Sequence, residues 1–515
     1  MLAKTFSCAV LGIDGFPVEV EVHISSGLPA FELIGLPDPS VREAKERVRS
    51  AIKNSGLEFP FERITVNLAP ADLKKEGSAF DLAIAVGILA STGQIPNGEQ
   101  LEQTVLAGEL SLDGKVRRIS GALPMASALG QVTNFQGCQM IVPADNAPEA
   151  SLIDKIGVRG AQSLEEIIAH FNGQIEIPRH EPDLENLASP PPEGTDLSEV
   201  KGQENAKRAL EVAAAGGHNL LFYGPPGTGK TMLAKRLPTL LPEPSLDEML
   251  EITRIYSVAG LLKPDRPLVT WRPFRSPHHS SSTAGVIGGG RIPRPGEVSL
   301  AHRGMLFLDE IPEFNREVLE SLRQPLEDRE VTVTRSAATL KYPADFVFAA
   351  SMNPCPCGNH GDPRHQCRCS HYQIQKYHSR LSGPLLDRVD LQVEVPRLEY
   401  SELEKNTSSE TSAQVRKRVE KTRQLQRERF KKTKVRTNAE MSSRQVQKHC
   451  TLEEEARQMA KDAFNRLGLS MRAYDRILKV ARTIADMNGC EVIQPDHLAE
   501  ANQYRSLDRF MWSGS

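Results

Sequence analysis

The sequence predicts an α/β protein built on a strand, a glycine-rich loop and a helix, with an α+β region ahead of it and a helical region behind. Three observations carry this. In HNLLFYGPPGTGKTMLAKRLPTLL the apolar run LLFY stops at Gly224, and an amphipathic helix follows Lys230. Two more apolar runs, GMLFLDE and FVFAA, end in polar residues at Asp309 and Ser351, as parallel strands covered on both faces do. From residue 398 onward the pattern is almost purely helical and dense in charge.

Taken in order, residues 1–175 mix strand-like and helical patterns. Ser40 and Glu43 form a capping box before VREAKERVRSAIKNSG, which Gly56 ends; RITVNLAP reads as the next strand, and Asp113-Gly114 as a hairpin turn. Residues 176–197, rich in proline and acid, form a linker. Residues 198–396 return to α/β patterning, and residues 397–515 form the helical region. A chain of 515 residues is long enough for about three such cores.

Charge and hydropathy exclude some classes. The net charge of -3 leaves no global polycation, so any attraction to nucleic acid must come from local patches. The apolar run from Cys8 to Ile13 is too short for a signal sequence, and no stretch approaches the ~18 apolar residues of a membrane span. The expectation is a cytoplasmic protein with no membrane partner.

Gly224, Pro225, Pro226, Gly227, Thr228, Gly229, Lys230 and Thr231 have G-x4-G-K-T spacing between a strand and a helix, the context a phosphate-binding loop requires. Glycines let successive N–H groups turn toward phosphate, and the helix N-terminus adds positive potential. Lys230 would reach the β and γ oxygens of ATP, and Thr231 would hold Mg2+. Asp309 and Glu310, at the carboxyl end of GMLFLDE, would complete the Mg2+ shell and orient the attacking water respectively. Asn353 follows FVFAA at the same sheet edge, where its amide would also hold that water.

With VKGQENAKRALEVAAAGGHNLLFYGPPGTGKT, RPFRSPHHSSSTAGVIGGGRIPRPGEVSLAHRGMLFLDEIPEF and GPLLDRVDLQVEVP read together, the chain resembles the magnesium-chelatase-like AAA+ ATPases, and among them the bacterial ComM (YifB) branch. The resemblance implies an AAA+ core with a helical lid and a homo-hexameric ring with ATP between neighbours. It implies that Asn353 senses nucleotide in its own subunit. Arg388, in LLDRVD, is then the arginine reaching the neighbour's γ-phosphate, with Arg380 its rival, and Arg472 points at nucleotide from the lid. It further implies a DNA substrate, single-stranded or branched, and helicase activity in branch migration during natural transformation. Remodelling of a partner protein, as in the chelatase subunit, is the alternative. The segment REVTVTRSAATLKYPADF matches the hairpin this group directs into its pore, which would turn Arg335 and Lys341 toward DNA.

GELSLDGKVRRISGALPMASAL and KKEGSAFDLAIAVGILAST resemble the two catalytic segments of the Lon protease fold. There a serine–lysine dyad needs the lysine as general base. Leu123 stands where that lysine belongs, and Ser78 sits in GSAF, so an inactive Lon-like scaffold or DNA-facing collar is expected.

Two features remain. Residues 414–436 carry eleven cations against Glu420 and Glu428, a solvated helical face or a phosphate contact. In SMNPCPCGNHGDPRHQCRCS, Cys355, Cys357, Cys367 and Cys369 hold four of the eight cysteines of the chain. Between Asn353 and Arg388 they would bind one Zn2+ and stiffen that loop, with His360, His365 and His371 as alternative ligands and a redox pair as the alternative chemistry.

Overall fold

The structure, a computed structural model, describes residues 1–182, 196–290, 293–335, 338–362, 364–398, 410–467 and 470–505. Most of the expected linker lies outside the described residues.

The N-terminal part is a seven-stranded mixed sheet ordered Ala30–Ile34, Arg63–Ala69, Asp14–Ser25, Leu2–Leu11, Thr104–Leu106, Gln139–Pro143, Gly157–Ala161. Alternation in Asp14–Ser25 sends Val18, Val20 and Val22 inward, all fully buried. They pack with the helix Asp81–Ser91, buried along its whole length. The expected hairpin forms across Glu109–Leu110 and Val116–Arg117, with Gly114 at φ +86°.

One detail departs from the sequence reading. The helix expected to start from a Ser40–Glu43 box starts at Pro39, because Asp38 Oδ1 takes the Val41 N–H at 2.9 Å and the Ser40 hydroxyl at 2.7 Å. A carboxylate suits the positive end of a helix better than a hydroxyl does.

The central sheet has five parallel strands in the order Phe274–Arg275, Met305–Leu308, Val347–Met352, Leu220–Tyr223, Leu391–Glu394. Both faces are covered. Leu220, Phe222, Met305 and Phe307 join the apolar cluster beneath the helices Glu204–Gly216 and Lys230–Leu240. Leu221, Leu306 and Leu308 join the opposite one, with Val318 and Tyr377. Continuous apolar runs were therefore the correct sequence signal for these strands.

Behind the core lie the helices Ser412–Phe430, Glu454–Leu467, Met471–Met487 and Pro495–Gln503. Ile477, Val480, Ala481 and Ile484 bury the face that periodicity predicted. His218, fully buried just ahead of the Leu220 strand, joins the layers: its ring contacts Thr483 Oγ1 at 2.8 Å and Asp390 Oδ2 at 3.3 Å.

The cation-rich helix is held largely by its own protein. Arg418 pairs with Glu211 at 2.6 Å and with Glu410 at 2.7 Å, and Arg416 with Glu243 at 3.2 Å. Arg423 donates to the Ala214 carbonyl at 2.8 Å, and Arg429 pairs with Asp486 at 2.5 Å. Much of the charge that suggested a phosphate contact is structural.

Candidate functional site

The phosphate-loop elements converge because three parallel strands end in register. Leu308 lies opposite Ala350, and Tyr223 opposite Met352, so the residues just beyond each strand emerge along one sheet edge. Gly224, at φ +158°, turns the chain where a Cβ would stand 2.2 Å from the Val395 carbonyl oxygen. Gly227 and Gly229 follow at φ +77° and +90°, backbone states that side chains rarely adopt.

Lys230 opens the following helix and is buried. Its Nζ donates to the carbonyl oxygens of Gly224 at 2.7 Å and Pro225 at 2.8 Å, and to Asn353 Oδ1 at 3.1 Å. Burial lowers its pKa to about 8, against the opposing pull of Asp309 and Glu310. Next to it, Thr231 Oγ1 donates to Asp309 Oδ2 at 2.6 Å. A hydroxyl and a carboxylate in contact are an oxygen donor set suited to Mg2+, so the residues fit that ion.

Glu310 stands at φ +52°, a left-handed conformation that directs the chain into the turn Ile311–Glu313 and leaves the residue exposed at the sheet edge. Non-glycine residues adopt this state rarely. Ser351, fully buried, explains how it is held: its Oγ accepts the Glu310 N–H at 3.1 Å and donates to Asp309 Oδ1. The sequence reading named Ser351 only as the end of an apolar run and gave it no role. Its signal was a hydroxyl on the penultimate residue of an otherwise apolar strand.

Arg388 and Arg472 stand away from the phosphate loop of their own chain. The Arg388 backbone carbonyl accepts from Asn219 Nδ2 at 2.9 Å, and Asn219 precedes Leu220, at the opposite sheet edge from Gly224. Arg388 donates to the Pro384 carbonyl at 2.7 Å and pairs with Glu327, whose carboxyl it holds below its ordinary pKa. A cavity of about 830 Å3 opens here, lined by Asn219, Glu327, Asp387, Arg388, Arg472 and Arg476 among others. None of Gly224–Thr231 lines it. Arg472, expected to point at nucleotide from the lid, occupies the first turn of Met471–Met487 and lines the cavity of Arg388, because that helix packs at the amino edge. Arg380 sits near the acidic strand end, donating to the Pro312 carbonyl and Glu313, each at 3.0 Å.

The expected pore hairpin forms, Glu330–Arg335 pairing antiparallel with Ala338–Pro343. Lys341 is bound to Glu330 at 2.5 Å. The Arg335 side chain lies outside the described residues.

The protease-like segments bring no dyad together. Ser78 Oγ donates to Glu109, Leu123 is fully buried, and Lys75 Nζ donates to the Pro70 carbonyl.

The four cysteine sulfurs converge within 4.8 Å of one another. His365 instead contacts Asp362 at 3.2 Å, and His360 donates its backbone N–H to Cys355 Sγ at 3.3 Å.

A parallel sheet carrying a glycine loop, a threonine–aspartate pair and an exposed glutamate on one edge defines the P-loop nucleotide-binding class. The family models for magnesium chelatase subunit ChlI match residues 20–146 and 196–403, and that for its C-terminal part matches 409–505. The chain is 46% identical over 516 residues to competence protein ComM of Haemophilus influenzae, covering 99% of this chain and 98% of that one. It is 46% identical over 513 residues to protein YifB of Salmonella typhimurium, with the same coverage. Over 148 residues, 26% of each chain, it is 32% identical to Lon protease 2 of Bacillus subtilis. The chain belongs to the ComM/YifB family of magnesium-chelatase-like AAA+ proteins, with a Lon-like N-terminal region. Among the described residues no helix is long and apolar enough to cross a membrane.

Proposed function

We propose that this chain is a cytoplasmic ATPase whose homo-hexameric ring moves single-stranded or branched DNA, promoting branch migration in natural transformation. The observation that carries it is the convergence of Lys230, Thr231, Asp309, Glu310 and Asn353 on one sheet edge. Support for DNA comes from the similarity to a competence protein.

In this reading Lys230 leaves its carbonyl partners to take the terminal phosphates of ATP, with backbone N–H groups of Gly227–Thr231 around them. Thr231 and Asp309 would hold Mg2+, which when bound neutralises phosphate charge. Glu310 takes a proton from the attacking water, and Asn353 positions that water. Arg388 and Arg472, facing away from their own phosphate loop, serve the neighbour's, so one subunit gives the cradle and the next the cations. We place the domain limits at 175, 197 and 396. We also propose that the four cysteines hold Zn2+.

The second reading, remodelling of a partner protein, draws support from cations already paired internally, among them Lys341, Arg416 and Arg418. ATPase rates of the parent and Glu310→Gln, measured without DNA and with single strands, duplex and four-way junctions, decide between them. DNA stimulation greatest for one DNA form is the expected result; indifference to all DNA favours remodelling.

A further inference from the structure

The segment that carries the four cysteines lies against the phosphate loop itself. Cys355 follows Asn353 by two residues, and Asn353 accepts from Lys230 Nζ at 3.1 Å. Three residues on, Gly358 turns at φ +79° with its N–H on the Cys355 carbonyl at 2.9 Å; a Cβ there would stand 2.6 Å from Cδ of Pro226. The segment thus touches the nucleotide loop on two sides, at its lysine and at its proline. Its far end is tied back as well: His378 Nε2 donates to the Pro354 carbonyl at 3.0 Å, from a helix, His371–His378, capped by Ser370 just after Cys369.

The sulfur spacing is that of a metal site. Tetrahedral thiolates at Zn–S distances of ~2.3 Å stand about 3.8 Å apart. Cys355–Cys357, Cys355–Cys367 and Cys357–Cys367 are 3.4, 3.7 and 3.7 Å apart, and all eight cysteines of the chain are free thiols. Between the sulfurs the chain is Gly, Asn, His, Asp, Pro, Gln and Arg, with too little apolar surface to pack a core. Something other than hydrophobic burial must hold this loop in shape.

We infer that Cys355, Cys357, Cys367 and Cys369 bind one Zn2+ and that the ion braces the phosphate loop through Gly358 and Asn353, so that nucleotide affinity depends on metal occupancy. The inference rests on the reading of Gly224–Thr231 as the ATP site. Four thiolates fill a tetrahedral site, leaving no position for a water or substrate, so the ion is structural. Losing it frees the loop, and nucleotide binding must then re-order Pro226 and Asn353.

The full chain, purified without added metal or chelator, should carry one zinc per chain by elemental mass spectrometry. Exchange with Co2+ should give the visible absorption of a tetrahedral thiolate site. In the Glu310→Gln background, stripping the zinc should raise the Kd for a fluorescent ATP analogue by about tenfold, the scale of re-ordering one backbone residue. Cys369→Ser should lose both zinc and affinity. Gly358→Ala retains all four thiolates, so it should keep its zinc yet bind nucleotide more weakly. Absence of stoichiometric zinc overturns the metal site; a stripped chain, or a zinc-loaded Gly358→Ala chain, that binds as tightly as the parent overturns the brace. Lys230→Ala separates the two layers: if it leaves affinity unchanged, the ATP site fails while the zinc count still stands.

Discussion

The Ser351 hydroxyl receives the backbone N–H of Glu310 at 3.1 Å, while its own proton goes to Asp309. One buried side chain thus fixes both acids of the site, including the left-handed turn that presents Glu310. Replacing Ser351 with alanine removes a hydrogen bond to a charged group worth about 1.5 kcal/mol. Hydrolysis should slow roughly tenfold, with nucleotide affinity changed less. Steady-state kinetics paired with a binding isotherm check this.

Lys230 gives a pH dependence. Its pKa of about 8 in the free protein means that the charged form, the one that attracts phosphate, is nearly complete well below pH 8, half present at pH 8 and lost above it. Bound triphosphate favours the charged form and draws the proton back. Calorimetry in buffers of different ionisation enthalpy should show uptake of about half a proton per nucleotide at pH 8, and from this group almost none at pH 6.5. Affinity should fall as the pH rises past 8.

Arg388 and Lys230 occupy opposite edges of one sheet, so in the proposed ring they would cooperate only between neighbouring subunits. Arg388→Ala should bind nucleotide like the parent but hydrolyse it at least a hundredfold more slowly, the scale of a missing transition-state cation. Lys230→Ala should fail to bind. Mixing the two inactive chains should restore part of the rate, since some interfaces then combine an intact cradle with an intact arginine. No recovery on mixing would place Arg388 outside the reaction.

Asp486, 4% exposed, anchors the helical part: it accepts from Arg429 at 2.5 Å, Arg482 at 2.9 Å and Asn438 at 2.8 Å. Alanine there leaves two guanidinium groups with a missing counter-charge and should cost about 3–5 kcal/mol. Chemical denaturation of the full chain reads this as a lower midpoint.

What the sequence determined by itself was local. The G-x4-G-K-T spacing specifies its own backbone, because the glycines that allow the turn and the lysine that follows are covalent neighbours. Apolar runs ending in Asp309-Glu310 and before Asn353 were legible for the same reason: a strand buried on both faces has one pattern, and its last residues emerge at one edge. The expectation of a degraded dyad needed only the identity of residue 123.

The tertiary structure alone decided everything that depends on which distant groups meet. A count of cations along residues 414–436 is blind to Glu211, Glu243 and Asp486, which lie far off in the chain and bind three of them. Arg472 sits in the helical turn where periodicity put it, yet the packing of that helix turns it toward Arg388. Ser351 acquires its role from a hydrogen bond across 41 residues, and Gly358 from a contact with Pro226. Hydrogen bonds and van der Waals contacts act over a few ångströms in space whatever the separation along the chain, so such partners leave no trace in local spacing.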